Sequence, residues 1–83
     1  MEVQDYISVD PRVCHAKPCF KGTRIMVSTV LELLESGQSY QEIRKGYPAL
    51  KPVHLKAALH FAHQILEQGE FISFRSLQHA LSG

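Results

Sequence analysis

Apolar residues take up helical spacing about a third of the way along the chain. From 28 to 36 they recur every three or four positions, while glutamates occupy the other side, which predicts an amphipathic helix. Its apolar stripe consists of Val27, Val30, Leu31, Leu33 and Leu34. Ser28 is the expected N-cap, and Gly37 stands where a left-handed C-terminal cap is needed, so the helix is bounded at both ends.

Two further helices are predicted from their terminal signals. Ser39 and Glu42 have the spacing of a capping box, in which each side chain satisfies the backbone amide of the other residue. A short second helix therefore begins here, and Gly46 ends it. Pro52 suits the first position of a third helix, which carries a broad apolar band over about 52–68.

The first 27 residues lack helical spacing and contain short extended segments instead. Strand composition is found at 6–9 and at 18–20, and 24–27 is a further candidate. Gly22 can supply the positive φ of a tight turn between the last two segments. We therefore predict one short N-terminal strand or hairpin, with no partner strand identified.

The order of these elements predicts a mainly α fold. The junction at 46–51 has the size that sets two helices at a steep angle, as in a helix-turn-helix unit. We expect a small bundle of three to four helices in three parts. These are an extended strand and turn region at 1–27 packed on the bundle, a helix-turn-helix core at 28–69, and a short C-terminal helix or arm at 70–83.

Charge is unevenly distributed along a chain whose net charge is only +1. Residues 1–10 carry three acids and no base, whereas 11–66 carry eight bases against three acids. Residues 67–83 carry two acids and one base. A basic centre of this kind forms a phosphate-facing patch if the fold gathers the bases, and an ordinary solvated surface if it does not.

The cellular compartment of the protein is inferred from its hydrophobic runs and its cysteines. No stretch approaches the roughly 20 apolar residues that span a bilayer, and the acidic N-terminus is not followed by an apolar run. The two cysteines, Cys14 and Cys19, are too few for a disulfide scaffold. We expect a cytoplasmic protein with no signal peptide and no membrane contact, in a reducing compartment.

Metal and catalytic chemistry have little support in the sequence. Cys14, His15 and Cys19, with His60 or His63 as a fourth ligand, match no known zinc-finger spacing, and a cysteine in an apolar run is usually a core residue. No Ser/His/Asp set, phosphate-binding glycine loop or carboxylate cluster is found. We expect no cofactor, no metal and no enzymatic activity, with a metal-dependent enzyme as a remote alternative.

The turn formed by Gly22, Thr23 and Arg24 has two interpretations. The Arg24 guanidinium is a planar donor that can hold a carboxylate or a phosphate in two-point contact. Alternatively the turn is structural, with Thr23 closing it and Arg24 paired to an internal carboxylate such as Asp10. We favour the structural interpretation, because the motif lies outside the helical pair.

Several motifs follow one another in order from residue 6 to about 64. The sharpest is Gly-Thr-Arg-Ile at 22–25, followed downstream by Tyr-Pro at 47–48 and by Leu50. The others are the segments 7–14, 17–21, 33–37, 42–43 and 57–59, together with Ser39. With these motifs the chain closely resembles the bacterial domain-of-unknown-function family four-three-three.

The resemblance implies a homeodomain-like helix-turn-helix fold with a short N-terminal strand region. Members of this family look like VapB-type antitoxins, which are often encoded beside a small PIN-like nuclease. We therefore expect a protein that binds and neutralises such a toxin, binds operator DNA as a homodimer, and represses its own operon. Two departures stand out: Ala16 replaces a usual glycine, and Lys51 replaces the Thr or Ser that usually caps the third helix.

Candidate DNA-binding residues lie in the second and third helices. Lys51, His54 and Lys56 lie near the N-terminal end of the third helix, where a recognition helix presents side chains to base edges. Arg44 and Lys45, at the end of the second helix, are placed to clamp the neighbouring phosphate backbone. A core helix with only a thin exposed strip is the competing interpretation of the third helix.

Candidate partner-binding residues lie in the C-terminal segment. Phe71, Phe74 and Leu77 are apolar anchors suited to the helix-in-groove mode of binding, and the acidic charge of this segment suits a basic nuclease surface. The alternative function is a protein–protein interaction adaptor that does not bind nucleic acid, which the nearly even overall charge favours.

Overall fold

Extended segments at the N-terminus pack against three helices. A computed structural model describes residues 1–68 of the chain. The named elements in order are β1 (Ile7–Ser8), β2 (Cys19–Phe20), α1 (Val27–Glu35), α2 (Tyr40–Gly46) and α3 (Pro52–Glu67). Short 3-10 turns at Val3–Asp5 and Cys14–Ala16 precede the two strands. The mainly helical prediction with a short N-terminal hairpin is confirmed at this level.

The two strands pair in antiparallel fashion. Ile7 lies opposite Phe20, and Ser8 lies opposite Cys19. Cys19 also forms an isolated antiparallel bridge with Met26 on its other side. The candidate strand at 24–27 therefore contributes only one bridge to β2. The strand that pairs with β2, which the sequence did not identify, is β1.

Helix α1 begins one residue earlier than predicted. Its N-cap is Met26, so the assignment of Ser28 as the N-cap was wrong. The N–H of Val27 donates to the Pro18 carbonyl at 3.0 Å, so contact with the segment leading into β2 determines where this helix starts. At the other end Gly37 has φ +92°, and the N–H groups of residues 37 and 38 close a Schellman motif, as predicted for this cap.

The core contains residues from both strands, all three helices, the first 3-10 turn and the junction before α3. Its buried members are Val3, Ile7, Cys19, Phe20, Val27, Val30, Ile43, Leu50, Ala57 and Ala58. The alanine pair has no exposed surface, which allows α1 and α3 to pack closely. Val3 is only 7 % exposed although it lies in the acidic N-terminal stretch, so the first 3-10 turn closes one side of the core.

Thr23 closes the turn between β2 and α1, as the structural interpretation of this motif predicted. Its hydroxyl donates to the Phe20 carbonyl at 2.8 Å and accepts from the Ile25 N–H at 3.0 Å. Gly22 supplies a φ of +76°. The motif therefore reverses the chain so that α1 starts beside the strand pair.

The turn before β2 contains three consecutive non-glycine residues in the left-handed region. Cys14, His15 and Ala16 have φ values of 51°, 54° and 65°. Such a conformation places Cβ close to the following carbonyl oxygen, at a cost of about 1–2 kcal/mol per residue. Ala16 is therefore strained at the position where the family resemblance led us to expect glycine.

Among residues 1–68, no helix has both the length and the apolar character needed to cross a membrane.

Replacing Ala16 with glycine is expected to stabilise the protein. Removing Cβ relieves about 1–2 kcal/mol of strain, and the more flexible unfolded chain takes back about 0.5–1 kcal/mol. We expect a net gain of about 0.5–1 kcal/mol, or about 3–6 °C in Tm, measured by urea and thermal unfolding. Ala49→Gly is the control, because Ala49 lies exposed in a turn without a positive φ. If the Tm of Ala16→Gly is equal to or lower than that of the wild-type protein, the backbone at Ala16 is not strained.

Candidate nucleic-acid interface

Helix α2 carries two exposed cations in its last turn, next to its buried anchor. The predicted capping box is present: Ser39 Oγ accepts from the Glu42 N–H at 3.3 Å, and Glu42 Oε1 accepts from the Ser39 N–H at 3.1 Å. Ile43 is buried in the core, whereas Arg44 and Lys45 are exposed in the last turn. The capped start and the buried isoleucine therefore determine the direction in which both cations point.

Arg44 and Lys45 share an open groove with Gln41 and Pro48. This groove has a volume of about 460 Å³ and lies beside the start of the junction to α3. Two cationic side chains and one amide are hydrogen-bond donors suited to phosphate oxygens. The end of α2 is therefore chemically suited to contact a nucleic-acid backbone.

The junction between α2 and α3 is held by hydrogen bonds and by one buried side chain. The Tyr40 hydroxyl donates to the Leu50 carbonyl at 3.1 Å, and the Leu50 N–H donates to the Tyr47 carbonyl at 3.0 Å. The Leu50 side chain is only 1 % exposed. These contacts tie the end of α2 to the start of α3, so the backbone positions that carry the cations are held relative to one another.

Helix α3 begins with a cap that the sequence analysis did not identify. Pro52 occupies the first turn, as predicted. The Lys51 N–H donates to Nδ1 of His54 at 2.9 Å, and the His54 N–H donates to the Lys51 carbonyl at 2.9 Å. The Lys51 side chain cannot accept a hydrogen bond from the helix as threonine or serine does. Three residues later, however, the His54 ring accepts from the Lys51 amide. The Lys51 and Lys56 side chains are exposed.

His54 packs against the aromatic rings of the N-terminal region and takes part in the cap of α3. Its ring is partly buried and lies edge-on to the rings of Phe20, at 5.5 Å between centroids, and Tyr6, at 6.1 Å. With Nδ1 engaged by Lys51, this side chain holds α3 against the hairpin. Although we expected His54 to contact DNA, we leave it out of the interface. The signal that could have revealed its role is its position three residues after the N-cap.

Within residues 1–68, the remaining four cations are exposed and form no ion pair. Within the described part of the chain, Asp10 forms an ion pair with Arg12, and His63 Nε2 lies 3.4 Å from a Glu67 carboxylate oxygen. From residue 40 to 56 the sequence has four bases and a single acid, and that acid, Glu42, is engaged in the capping box. Arg44 and Lys45 line one groove, and Lys51 and Lys56 are exposed at the start of α3; we call these four residues together the basic surface.

The expected pairing of Arg24 with Asp10 was wrong. Asp10 instead accepts from the Arg12 backbone N–H at 2.8 Å and from the Arg12 guanidinium at 3.3 Å. These contacts, the backbone one first, lower the pKa of Asp10 below its usual value. Local hydrogen bonding within 10–12 takes this carboxylate, and Arg24 remains exposed between two shallow grooves.

The residues considered for zinc are placed apart or engaged elsewhere. Cys14 and Cys19 are joined by a disulfide, a bond that the sequence analysis did not predict, so neither sulfur is free to ligate zinc in this form. The His60 and His63 rings lie 6.2 Å apart, and His63 Nε2 lies 3.4 Å from a Glu67 carboxylate oxygen. Within residues 1–68, no group of three or more potential metal ligands comes together.

The expected partner-binding residues, Phe71, Phe74 and Leu77, lie outside the described residues. The helix that leads to them carries exposed apolar side chains in its second half. Ile65 is 47 % exposed and Leu66 is 63 % exposed. This half of α3 therefore offers an apolar surface, whereas its first turns offer lysines.

Comparison with known proteins identifies a family but not a function. A family model described as "Protein of unknown function (DUF433)" matches residues 7–62. A solved structure, the crystal structure of a DUF433 member protein from Anabaena variabilis, has a TM-score of 0.69 and 33 % sequence identity. The match covers 80 % of this chain and 65 % of that one, so this chain spans less than two thirds of its relative's length. No curated protein matches.

The capping role of His54 predicts a specific loss of stability. His54→Ala removes the acceptor for the Lys51 N–H and the edge-on contacts with Phe20 and Tyr6, and we expect a loss of about 1–2 kcal/mol in the free energy of unfolding. His54→Glu restores an acceptor at the same position and is expected to recover part of that loss. The measurement is urea unfolding followed by circular dichroism.

His63→Ala is the matched control for this series. His63 is an exposed histidine on the same helix whose one polar side-chain contact within residues 1–68 is with the exposed Glu67, so we expect a change within about 0.5 kcal/mol. Equal losses for His54→Ala and His63→Ala would show that the cap does not stabilise the protein.

Proposed function

The chain belongs to the DUF433 family, and for this member we propose an antitoxin-like regulator that binds operator DNA and neutralises a PIN-like ribonuclease. The observation that carries the DNA-binding part is the basic surface. Its four cations are exposed, lack ion-pair partners within residues 1–68, and flank a junction held by buried and hydrogen-bonded groups. Exposed lysines and arginines that are not paired with acids can bind phosphate groups.

In the proposed complex, α2 and α3 act as a homeodomain-like helix-turn-helix unit. Arg44 and Lys45 contact phosphates on one side of the groove that the DNA presents. Lys51 and Lys56 approach the same duplex from the start of α3, which enters the major groove. Homodimers would then bind two half-sites about one helical turn apart and repress the operon that encodes them.

The partner-binding part of the proposal uses the second half of α3 and the segment after it. The exposed Ile65 and Leu66 precede Phe71, Phe74 and Leu77 along the chain. We assign these apolar residues to the groove of a PIN-like nuclease. Glu67 and Glu70 add acidic charge beside it, which suits a surface that binds RNA phosphates.

The same exposed apolar surface favours a second candidate function. A protein–protein adaptor without nucleic-acid binding would use the second half of α3 alone, and the basic surface would be an ordinary solvated one. The two candidates differ in how affinity for DNA depends on salt and on individual cations.

DNA binding is tested with the duplex upstream of the protein's own gene. We expect the logarithm of the affinity to fall linearly with the logarithm of salt concentration, because binding releases counterions from phosphates. Arg44→Glu and Lys51→Glu are each expected to weaken binding at least tenfold and to reduce the salt slope by about one or more. Fluorescence anisotropy over a salt series gives both values.

Lys21→Glu is the matched control, since Lys21 is exposed in the turn after β2 and lies outside the basic surface. We expect it to weaken binding only a few-fold through long-range charge. If Lys21→Glu weakens binding as much as Arg44→Glu, or if the duplex does not bind at low salt, the DNA-binding proposal fails and the adaptor remains.

A further inference from the structure

The two cysteines of the disulfide differ in their exposure. Cys14 and Cys19 are bonded across a turn of four residues, with their Cα atoms 6.8 Å apart. Cys19 is only 2 % exposed because β2 lies between β1 and Met26. Cys14 is only partly buried and lines an open groove of about 340 Å³. Cys14 is therefore the more accessible of the two bonded cysteines.

The groove beside Cys14 is cationic. Its other lining residues are His15, Lys17, Arg24 and Met26, so no carboxylate lines it. Lys17 and Arg24 are both exposed, and neither forms an ion pair within residues 1–68. A cleft with charge of one sign concentrates small ions of the opposite sign and speeds their encounter. Cations beside a cysteine also stabilise its thiolate, which is the leaving and attacking form.

The turn that the disulfide closes is strained by its backbone. Cys14 itself and the next two residues have positive φ values, and none of them is glycine. The turn is held by the Ala16 N–H, which donates to the Val13 carbonyl at 3.2 Å, by the Lys17 N–H, which donates to the Cys14 carbonyl at 3.0 Å, and by the bond to Cys19. Opening the disulfide removes the covalent one of these three restraints from a conformation that is unfavourable on its own.

We propose that Cys14 and Cys19 form a reversible thiol–disulfide exchange site for small anionic thiols. A thiolate RS⁻ attacks Cys14 Sγ, forming the RS–S bond to Cys14 and releasing Cys19 as a thiolate that takes up a proton. A second RS⁻ attacks the sulfur of the bound RS group, forming RSSR and releasing the Cys14 thiolate. Two thiols are oxidised to one small disulfide as the protein disulfide is reduced to two thiols, and the reverse reaction restores it.

This site is independent of the proposed DNA and toxin binding. It lies in the turn region before α1, whereas the basic surface lies on α2 and α3. Failure of either proposal would therefore leave the other one standing.

The first experiment compares thiols of different charge. The oxidised full-length chain is treated with 2-mercaptoethanesulfonate, 2-mercaptoethanol or cysteamine, quenched by alkylation, and analysed by intact mass. Rates are expressed per thiolate present. We expect the anionic thiol to react at least tenfold faster than the cationic one at low salt, with the ratio approaching one at high salt. A ratio near one at low salt would overturn the charge selection.

Lys17→Glu tests the groove directly while leaving both cysteines in place. We expect it to slow the anionic thiol and to accelerate the cationic one. Lys21→Glu makes the same charge change outside the groove and is expected to leave the ratio of the two rates nearly unchanged. Equal changes in that ratio for both variants would show that the groove does not select the thiol.

The second experiment identifies the attacked sulfur. Cys19→Ser leaves Cys14 alone, and we expect a mixed disulfide with oxidised glutathione under native conditions. Cys14→Ser leaves the buried Cys19, which we expect to react only after denaturant is added. Circular dichroism confirms that both variants are helical. Faster native reaction of Cys19 than of Cys14, or failure of wild-type protein to form the internal disulfide with oxidised glutathione, would overturn the proposal.

Discussion

Phe20 is the residue on which the arrangement of this molecule depends. It is fully buried, pairs with Ile7 across the strand ladder, and packs edge-on to His54 at the start of α3. Its backbone carbonyl accepts from the Thr23 hydroxyl that closes the following turn. A ring of this size stabilises a small core by burying apolar area, and here it joins the extended N-terminus to the helix that starts farthest from it in sequence.

The same packing holds the backbone positions of the basic surface that we propose for DNA binding. His54 joins the strand pair to the cap of α3, and Tyr40 joins α2 to the junction before α3. Each cation of the basic surface is therefore flexible along its own side chain but starts from a backbone position with few alternatives. The hairpin region, which contains no residue of the basic surface, positions that surface.

Local signals explain which features could be predicted from the sequence. The capping box at Ser39 and Glu42, Pro52 at the start of α3 and the glycine cap after α1 each operate within a few residues, so their spacing is sufficient. The strand pair could be placed only roughly, because the partner of β2 lies a dozen residues away. Ser28 was misassigned because a tertiary contact, from Val27 to the segment before β2, starts the helix earlier.

The candidate sites were less predictable because they depend on contacts between distant segments. His54 carries a basic ring at a suitable helical position, and nothing local shows that Phe20 and Tyr6 will pack against it. The Cys14–Cys19 bond closes a turn with left-handed backbone at Cys14, His15 and Ala16, and cysteine and alanine rarely adopt this conformation. Lys51 and Lys56 were placed correctly on the outside, since exposure of lysine is the general rule.

The adjacent alanines of α3 have a consequence for how this helix can be oriented. Successive residues of an α-helix are offset by about 100° around its axis. Ala57 and Ala58 leave room only for an inward-facing methyl group, whereas Lys56 and Leu59 on either side are exposed. Turning the helix by one position would drive a lysine stem or a leucine into that space. The two alanines therefore fix the rotation of α3 about its own axis.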